Sequence, residues 1–276
     1  MSTGSRLDAF VARYAERTKS MTASEIRGLF AVASRPEVVS LAGGMPNLTA
    51  LPMDVISQIV ADVINENGQV ALQYGSGQGD PVLREQITEI MKLEGIDSHP
   101  DDVVVTTGSQ QALDLVARIF LDPGDVVLAE APSYVGALGT FRQYQARIVH
   151  VEMDDDGLIP ERLREAIAHT RAQGGKIKFL YTIPNFHNPA GVSLSLERRQ
   201  EVLRIARDAD ILIIEDNPYG LLGFNTEPTR ALRADDPDNV VYLGSFSKTF
   251  APGLRVGWAA APHAVREKLV LASESS

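Results

Sequence analysis

Short apolar runs rich in β-branched residues alternate with helix-like segments from about residue 100 to the end of the sequence. There are seven such runs: VVVT (103–106), VVLAE (126–130), IVHVE (148–152), IKFLYT (177–182), ILIIED (211–216), VVYLG (240–244) and VGWAAA (256–261). Strands that are apolar along their whole length are typical of a sheet covered by helices on both faces. The alternation therefore predicts an α/β fold with a mostly parallel, seven-stranded sheet.

The segments between these runs predict helices at about 109–121, 133–144, 160–171 and 196–208. Further upstream, Asp80 and Pro81 are the residue types of a helix cap and a first helical position, and that helix is expected to end near Gly95. Residues 1–50 are predicted to form an irregular N-terminal arm that belongs in part to a small domain. Residues 51–276 are predicted to form the large domain.

Composition excludes several classes of protein. The chain of 276 residues has 26 Lys and Arg against 36 Asp and Glu, a net charge of −10, and no cysteine. Disulfide scaffolds, cysteine-bound metals and thiol nucleophiles are excluded, and the acidity disfavours a nucleic-acid partner. The five histidines lack ligand spacing, so no metal site is predicted, and no nucleophile-elbow motif supports a Ser-His-Asp hydrolase. Apolar runs no longer than a strand are too short for membrane spans, and a cytoplasmic enzyme is expected.

Ligands of open α/β sheets bind at the carboxyl ends of the strands, so the residues after each run are the candidates for function. TGSQQ (107–111) combines a glycine turn with the start of a helix, which is either a simple cap at Ser109 or an anion site. Asp216 ends an apolar strand and must be paired when buried. It is either a structural cap or a counter-charge for a cationic ligand atom.

The segment SFSKTFAPGLRVGW (245–258) places Lys248 among hydroxyl groups and close in sequence to Arg255. A neighbouring positive charge favours the neutral, nucleophilic amine that Schiff-base chemistry requires. Arg255 is suited to a bidentate phosphate contact. Tyr134, Asn188 and Tyr219 also follow strands, and each alone is explained more simply by packing or by a turn. Together the strand ends match the needs of a phosphorylated pyridine aldehyde.

These motifs resemble those of the pyridoxal 5′-phosphate enzymes of fold type I. More narrowly, the chain resembles the class I/II aminotransferases of the 2-aminoadipate and kynurenine type. The resemblance extends from about residue 20 to the C-terminus and is carried, in the family's order, by LQYGSGQGDPVLRE, TTGSQQALDL, HNPAG, EDNPYG and SFSKTFAPGLRVGW. Each motif alone is weak, and the five in order are specific.

The resemblance implies a role for each matching residue. Lys248 would form the Schiff base with pyridoxal 5′-phosphate and move the proton between substrate and cofactor. Asp216 would pair with the pyridinium nitrogen. Tyr219 and Asn188 would hydrogen-bond the phenolic oxygen, with Asn188 also near the substrate, and Tyr134 would stack on the ring.

The resemblance also implies contacts to the phosphate and the substrate. The phosphate would be held by Ser109, Gln110, Ser245 and Arg255. Tyr74 would reach the phosphate of a neighbouring subunit, which implies a homodimer with shared active sites. Arg27 and Gly44 lie in arm segments, SEIRGLF and SLAGG, that would close over the substrate. Arg27 would contact a substrate carboxylate, although an exposed helix arginine is an equally good interpretation.

One departure from the family pattern concerns the C-terminus. The sequence stops at LVLASESS, where the family continues into a C-terminal small domain with an arginine for the substrate α-carboxylate. The expected function is an aminotransferase that exchanges an amino group between an amino acid and a 2-oxo acid, with glutamate and 2-oxoglutarate as the shared pair. The alternatives are a truncated homologue that binds the cofactor without efficient transamination, and a lyase, decarboxylase or racemase using the same cofactor. A regulatory module is a further alternative, disfavoured because only about twenty residues precede the resemblance.

Overall fold

The computed structural model describes residues 10–21, 32, 35, 37–39, 44–224 and 227–275. The helices of this part of the chain are α1 (Met53–Ala71), α2 (Pro81–Met91), α3 (Ser109–Phe120), α4 (Val135–Gln143), α5 (Pro160–Ala172), α6 (Leu196–Asp208), α7 (Leu232–Asp235) and α8 (His263–Glu274). Its strands are β1 (Val103–Thr106), β2 (Val126–Ala131), β3 (Arg147–Asp154), β4 (Gly157–Leu158), β5 (Ile177–Thr182), β6 (Leu212–Asp216), β7 (Val240–Ser245) and β8 (Gly257–Ala260).

The eight strands form one sheet in the order β1-β8-β7-β6-β5-β2-β3-β4. Strands β7, β6, β5, β2 and β3 are parallel neighbours, while β8 runs antiparallel to both β1 and β7. All seven predicted strands are confirmed, together with the mostly parallel α/β fold. The eighth strand, β4, was not predicted, because two residues give no periodicity; it folds back on β3 with Met153 opposite Leu158.

Two apolar cores explain why the strands are continuously hydrophobic. Ile214 and Val241 belong to the core on the face covered by α3, α4 and α8, whereas their chain neighbours Ile213 and Val240 belong to the core covered by α5 and α6. Successive side chains of a strand point to opposite faces, so a sheet buried on both faces needs apolar residues at every position.

The predicted start of α2 is present, and the helical stretch that begins there ends at Gly95, near which the end was predicted. The Asp80 carboxylate accepts a hydrogen bond from the Leu83 backbone N–H at 2.9 Å, and Pro81 is the first helical residue. After α2, a short 3₁₀ helix (Lys92–Glu94) ends at Gly95, whose φ of 76° places it in the left-handed region. Glycine adopts this conformation without the steric cost that a Cβ brings, which explains the stop.

Helix α1 has no buried residue in the described chain. The exposed apolar side chains along it include Val55, Ile59, Val60, Val63 and Ile64. An uncovered apolar face of this kind is typical of a surface that contacts another segment or subunit. None of the helices described here is long and apolar enough to cross a lipid bilayer.

Candidate active site

Asp216 lies at the carboxyl end of β6, 3% exposed. Its Oδ2 accepts a hydrogen bond from the Tyr181 hydroxyl at 2.7 Å, while its Oδ1 is buried without a hydrogen-bond partner in the described residues. Burial raises the pKa of Asp216 to about 6, and the hydrogen bond from Tyr181 opposes that rise. A buried carboxylate with one free oxygen is suited to accept a hydrogen bond from a cationic N–H group of a ligand.

Tyr134, Asn188 and Tyr219 gather near Asp216 from three separate loops. The Asn188 Nδ2 donates to the Tyr219 hydroxyl at 3.3 Å. Burial, and to a smaller extent the charge of Asp216, raise the pKa of both Tyr134 and Tyr219, so both phenols keep their protons. The strand ends therefore bring together a carboxylate, two phenols and an amide, as the sequence predicted.

Arg255 lies across the start of α3. Its Nη2 donates to the Thr107 carbonyl at 3.3 Å, and a Cβ built on Gly108 would lie 2.6 Å from the same nitrogen. Gly108 has a φ of 77° and a ψ of 163°, a conformation that is essentially restricted to glycine. The first turn of a helix leaves backbone N–H groups unpaired, so a guanidinium beside it forms a site of positive potential suited to an anion.

Ser109, Gln110 and Ser245 lie around this positive site with different partners. Ser109 is the first residue of α3 and makes no side-chain cap, because Gly108 occupies the cap position; the interpretation of Ser109 as a cap is wrong. The Gln110 Nε2 donates to Thr140 Oγ1 at 2.7 Å, and its Oε1 accepts from the Tyr134 hydroxyl at 3.4 Å. The buried Ser245 hydroxyl is 2.8 Å from the Ser247 hydroxyl.

Lys248 follows β7 in the turn that leads to a 3₁₀ helix (Pro252–Leu254). Its Nζ donates to the Gly44 carbonyl at 2.6 Å, which joins the end of the N-terminal arm to the strand ends. Burial lowers the pKa of the half-buried Lys248, as the sequence predicted, but the expected cause was the charge of Arg255. Partial removal from water favours the neutral amine in the same direction.

One predicted residue, Tyr74, does not join this cluster, and a second, Arg27, is not described. The Tyr74 side chain is 99% exposed and packs against nothing in the described chain. Arg27 lies outside the described residues.

A buried polar network beneath the site was not predicted from the sequence. The Asn217 Nδ2 donates to a Glu94 oxygen at 2.5 Å, and the Tyr242 hydroxyl donates to the other oxygen at 2.7 Å. The Asn217 Oδ1 accepts from Asn185 Nδ2 at 3.0 Å, and Asn185 Oδ1 in turn accepts from Arg199 Nη2 at 2.6 Å. This chain of bonds fixes the loop after β6 relative to the loop after β5. The signal in the sequence was Asn217 directly after β6 and Asn185 three residues after β5.

A second buried carboxylate anchors the loop that carries Asn188. Glu130 on β2 accepts from the Thr182 hydroxyl at 2.8 Å and from the Ile183 N–H at 2.9 Å. The His187 Nε2 lies 3.1 Å from the same carboxylate, with both side chains 1% exposed. Asn188 therefore projects from a loop whose start is held by two hydrogen bonds to Glu130.

The residues present fit pyridoxal 5′-phosphate on the evidence of their own geometry. The unpartnered Oδ1 of Asp216 could accept from a protonated ring nitrogen, and the region around Arg255 and the start of α3 could hold a phosphate. Lys248, in the turn that follows β7, offers an amine whose pKa is lowered by burial.

The fold is that of the large domain of pyridoxal 5′-phosphate aminotransferases. A crystal structure of Pyrococcus horikoshii kynurenine aminotransferase in complex with PMP, with KYN as substrate and KYA as product, superposes with a TM-score of 0.88 at 37% identity, covering 97% of this chain and 67% of that chain. The sequence profile of the family "Aminotransferase class I and II" matches residues 36–276. The chain belongs to this aminotransferase family.

Two curated relatives show the same relationship. The aromatic-amino-acid aminotransferase 1 of Thermococcus litoralis is 42% identical over 265 residues, which cover 95% of this chain and 63% of the relative. The 2-aminoadipate transaminase of Thermus thermophilus is 38% identical over 258 residues, which cover 92% of this chain and 62% of the relative. The chain thus spans less than two thirds of the length of these relatives.

Proposed function

We propose that this chain binds pyridoxal 5′-phosphate and acts as an aminotransferase that exchanges an amino group between an amino acid and a 2-oxo acid. The observation that carries the proposal is the buried Asp216, with one oxygen free, at the same sheet edge as Lys248. The proposed shared substrate pair is glutamate and 2-oxoglutarate. Membership of the aminotransferase family supports this assignment.

The proposed cofactor, when bound, supplies an electron sink that stabilises negative charge at the substrate α-carbon. In the proposed arrangement, Asp216 accepts a hydrogen bond from the ring nitrogen and so favours its protonated form. Tyr219 and Asn188 donate to the phenolic oxygen, and Tyr134 covers one face of the ring. Because Asp216 already lies in a buried, preorganised position, little rearrangement is needed when charge develops.

The phosphate group is proposed to lie against Arg255 and the first turn of α3, with Ser109, Gln110 and Ser245 as further donors. A phosphate anion is stabilised there both by the guanidinium and by the helix N-terminus. The bent backbone at Gly108 allows the guanidinium to approach, since a side chain at this position would overlap with it.

Lys248 is the proposed residue that forms the covalent link to the cofactor and moves the substrate proton. Both tasks require the neutral amine, and burial of Lys248 shifts the equilibrium toward that form. The Gly44 carbonyl, 2.6 Å away, orients the Nζ. Gly44 and Arg27 are the proposed substrate contacts from the arm.

The proposed assembly is a homodimer in which Tyr74 reaches the phosphate site of the neighbouring subunit. The uncovered apolar face of α1 and the fully exposed Tyr74 that follows it support this. Sedimentation of the wild type beside Ile59→Glu tests it, because a charge on that face should dissociate the dimer. A monomeric wild type would contradict the assembly.

Residues 1–50 are proposed to form the arm, with part of the small domain, and residues 51–276 the cofactor-binding domain. A cytoplasmic location stays a prediction from the sequence.

The decisive experiment is a visible absorption spectrum of the protein with added pyridoxal 5′-phosphate, before and after glutamate. We expect a visible band in the wild type and in Lys268→Ala, which changes an exposed lysine of α8, and no band in Lys248→Ala. Borohydride reduction followed by peptide mass analysis should locate the label on Lys248. A band that is equal in all three proteins would refute the assignment.

The response to glutamate separates the remaining alternatives. Loss of the visible band with formation of one equivalent of 2-oxoglutarate supports transamination. A visible band that does not change with any amino acid tested supports a chain that binds the cofactor without efficient transamination. Turnover of an amino acid without a matching 2-oxo acid supports a lyase, decarboxylase or racemase.

A further inference from the structure

Tyr181 is buried in the middle of the sheet, yet its hydroxyl reaches the proposed cofactor site. It lies on β5 opposite Ile214 of β6, and its hydroxyl donates to Asp216 Oδ2 at 2.7 Å. Its ring packs edge-on against Phe141, with centroids 5.4 Å apart and planes at 73°. The side chain is 0% exposed. The hydroxyl is therefore held in one position by the packing of the sheet against α4.

Burial and the nearby charge of Asp216 raise the pKa of Tyr181 well above its ordinary value. The phenol therefore keeps its proton near neutral pH, and toward the ionised carboxylate it acts as a donor. Because Oδ2 of Asp216 accepts from this donor, Oδ1, which has no partner in the described part of the chain, is the oxygen best placed to receive a ligand. The hydrogen bond also stabilises the ionised carboxylate, opposing the effect of burial.

We propose that Tyr181 is a positioning residue that keeps Asp216 ionised and directs its Oδ1 toward the ring nitrogen of the cofactor. The second half of this inference rests on the proposed function. The other titratable groups that face this pair are Tyr134 before α4, Tyr219 after β6 and Glu130 on β2. Neither a carboxyl group nor a phenol can supply positive charge, and the hydrogen bond from Tyr181 is the contribution that favours the charged form of Asp216.

The first test needs no cofactor. The pKa of Asp216 is measured by ¹³C NMR in the full chain labelled at the aspartate carboxyl carbons, with the signal assigned by its absence in Asp216→Asn. A hydrogen bond to a charged group is worth enough to move this pKa, and Tyr181→Phe should raise it by about one to two units. An unchanged pKa would overturn the proposal.

Tyr242→Phe is a matched control. Tyr242 is likewise a buried strand tyrosine whose hydroxyl donates to a carboxylate, Glu94 Oε2, at 2.7 Å. Loss of the Tyr242 hydroxyl should destabilise the fold to a similar degree but leave the pKa of Asp216 unchanged. If both variants raise the pKa of Asp216 equally, the effect is one of general loosening and the proposal is wrong.

A second substitution keeps the shape of the side chain in case Tyr181→Phe does not fold. Replacing Tyr181 with 3,5-difluorotyrosine makes the hydroxyl a stronger donor, so the pKa of Asp216 should fall below its wild-type value. A rise, or no change, would contradict the proposal.

The link to the cofactor has its own measurement, the ¹⁵N shift of pyridoxal 5′-phosphate labelled at the ring nitrogen. In Tyr181→Phe the shift should move toward the value of the unprotonated ring, and in Tyr242→Phe it should not. If the apoprotein titration responds as expected but no Lys248-dependent binding occurs, the proposed function fails while the action of Tyr181 on Asp216 is supported. If the cofactor binds and its ¹⁵N shift is the same in Tyr181→Phe as in the wild type, the positioning role is refuted.

Discussion

Substituting Asp216 with asparagine should stabilise the fold at alkaline pH while removing the group on which the proposed chemistry depends. Burial raises the pKa of Asp216 from 3.8 to about 6 in the folded state. The folded protein therefore binds this proton more tightly than the unfolded chain does. The resulting stabilisation is fully present below pH 3.8 and is lost as the pH rises through about 6.

The size of this effect follows from the shift. About two pH units at about 1.4 kcal/mol per unit give about 3 kcal/mol. Above pH 7 the wild type bears this whole cost of a buried charge, whereas the neutral amide of Asp216→Asn bears none of it. Tyr181 can still donate to the amide oxygen, and the unpartnered Oδ1 is replaced by an equally unpartnered Nδ2, so the hydrogen-bond terms nearly cancel.

Urea unfolding of both proteins at pH 4 and pH 8, without cofactor, measures the difference. We expect Asp216→Asn to exceed the wild type by about 2–3 kcal/mol at pH 8 and to match it closely at pH 4. Asp155→Asn, in the exposed turn after β3, should leave the unfolding free energy unchanged at both pH values. A difference that is the same at pH 4 and pH 8 would refute the reasoning, since Asp216 is the titratable group by which the two proteins differ.

Three further pairs of substitutions test the framework around the site. Arg199→Leu removes a donor from the Asn185 Oδ1 and from three backbone carbonyls, of which only that of Pro184 keeps a second bond within the described chain, from the Leu194 N–H. It should cost about 3–5 kcal/mol in chemical unfolding. Arg204→Leu, on the exposed face of the same helix, should cost less than about 1 kcal/mol. Gly108→Ala should weaken pyridoxal 5′-phosphate binding about tenfold in a fluorescence titration by displacing Arg255. Gly124→Ala, which also has a positive φ but no neighbour within 4 Å, should leave binding unchanged. Gly244→Ala places a Cβ 2.2 Å from the Trp258 ring and should lower the free energy of unfolding by about 1–3 kcal/mol. Gly139→Ala in α4, with no neighbour within 4 Å, should raise it by about 0.5–1 kcal/mol. Thermal melts measure both changes. Equal effects within any of these pairs would contradict the contact invoked.

The sheet could be predicted from the sequence because its strands are apolar on both faces and are separated by helices. Helix α1 could not be predicted in this way. Its apolar side chains are not buried against the sheet, so their pattern gives no indication of which core they would join. The short strand β4 is specified only by its pairing with β3, a tertiary contact that no local pattern encodes.

The candidate site was predicted to the extent that its residues follow strands. Asp216, Tyr219 and Asn188 meet because parallel strands end at one edge of the sheet. The role of Tyr181 was not predicted, because within IKFLYT it looks like one more large apolar residue. The register between β5 and β6 brings its hydroxyl to Asp216, and the sequence does not show that register. The lowered pKa of Lys248 was predicted from the wrong cause, because its burial is a property of the folded chain that the local sequence does not show.

Strand β8 imposes an order on the folding of this chain during synthesis. It lies between β1 and β7 and pairs Val103 with Ala260, so β1 has no neighbour in the sheet until the ribosome has made about 150 more residues. The segments from β2 to β7 can pair as they emerge, because each joins a strand made earlier or soon afterwards. Contacts between residues so distant in sequence form slowly, and an unpaired apolar strand is prone to aggregate. Strand β1 therefore lacks its sheet partner until β8 has been made, and we expect the incomplete chain to aggregate more readily than one in which every strand pairs locally.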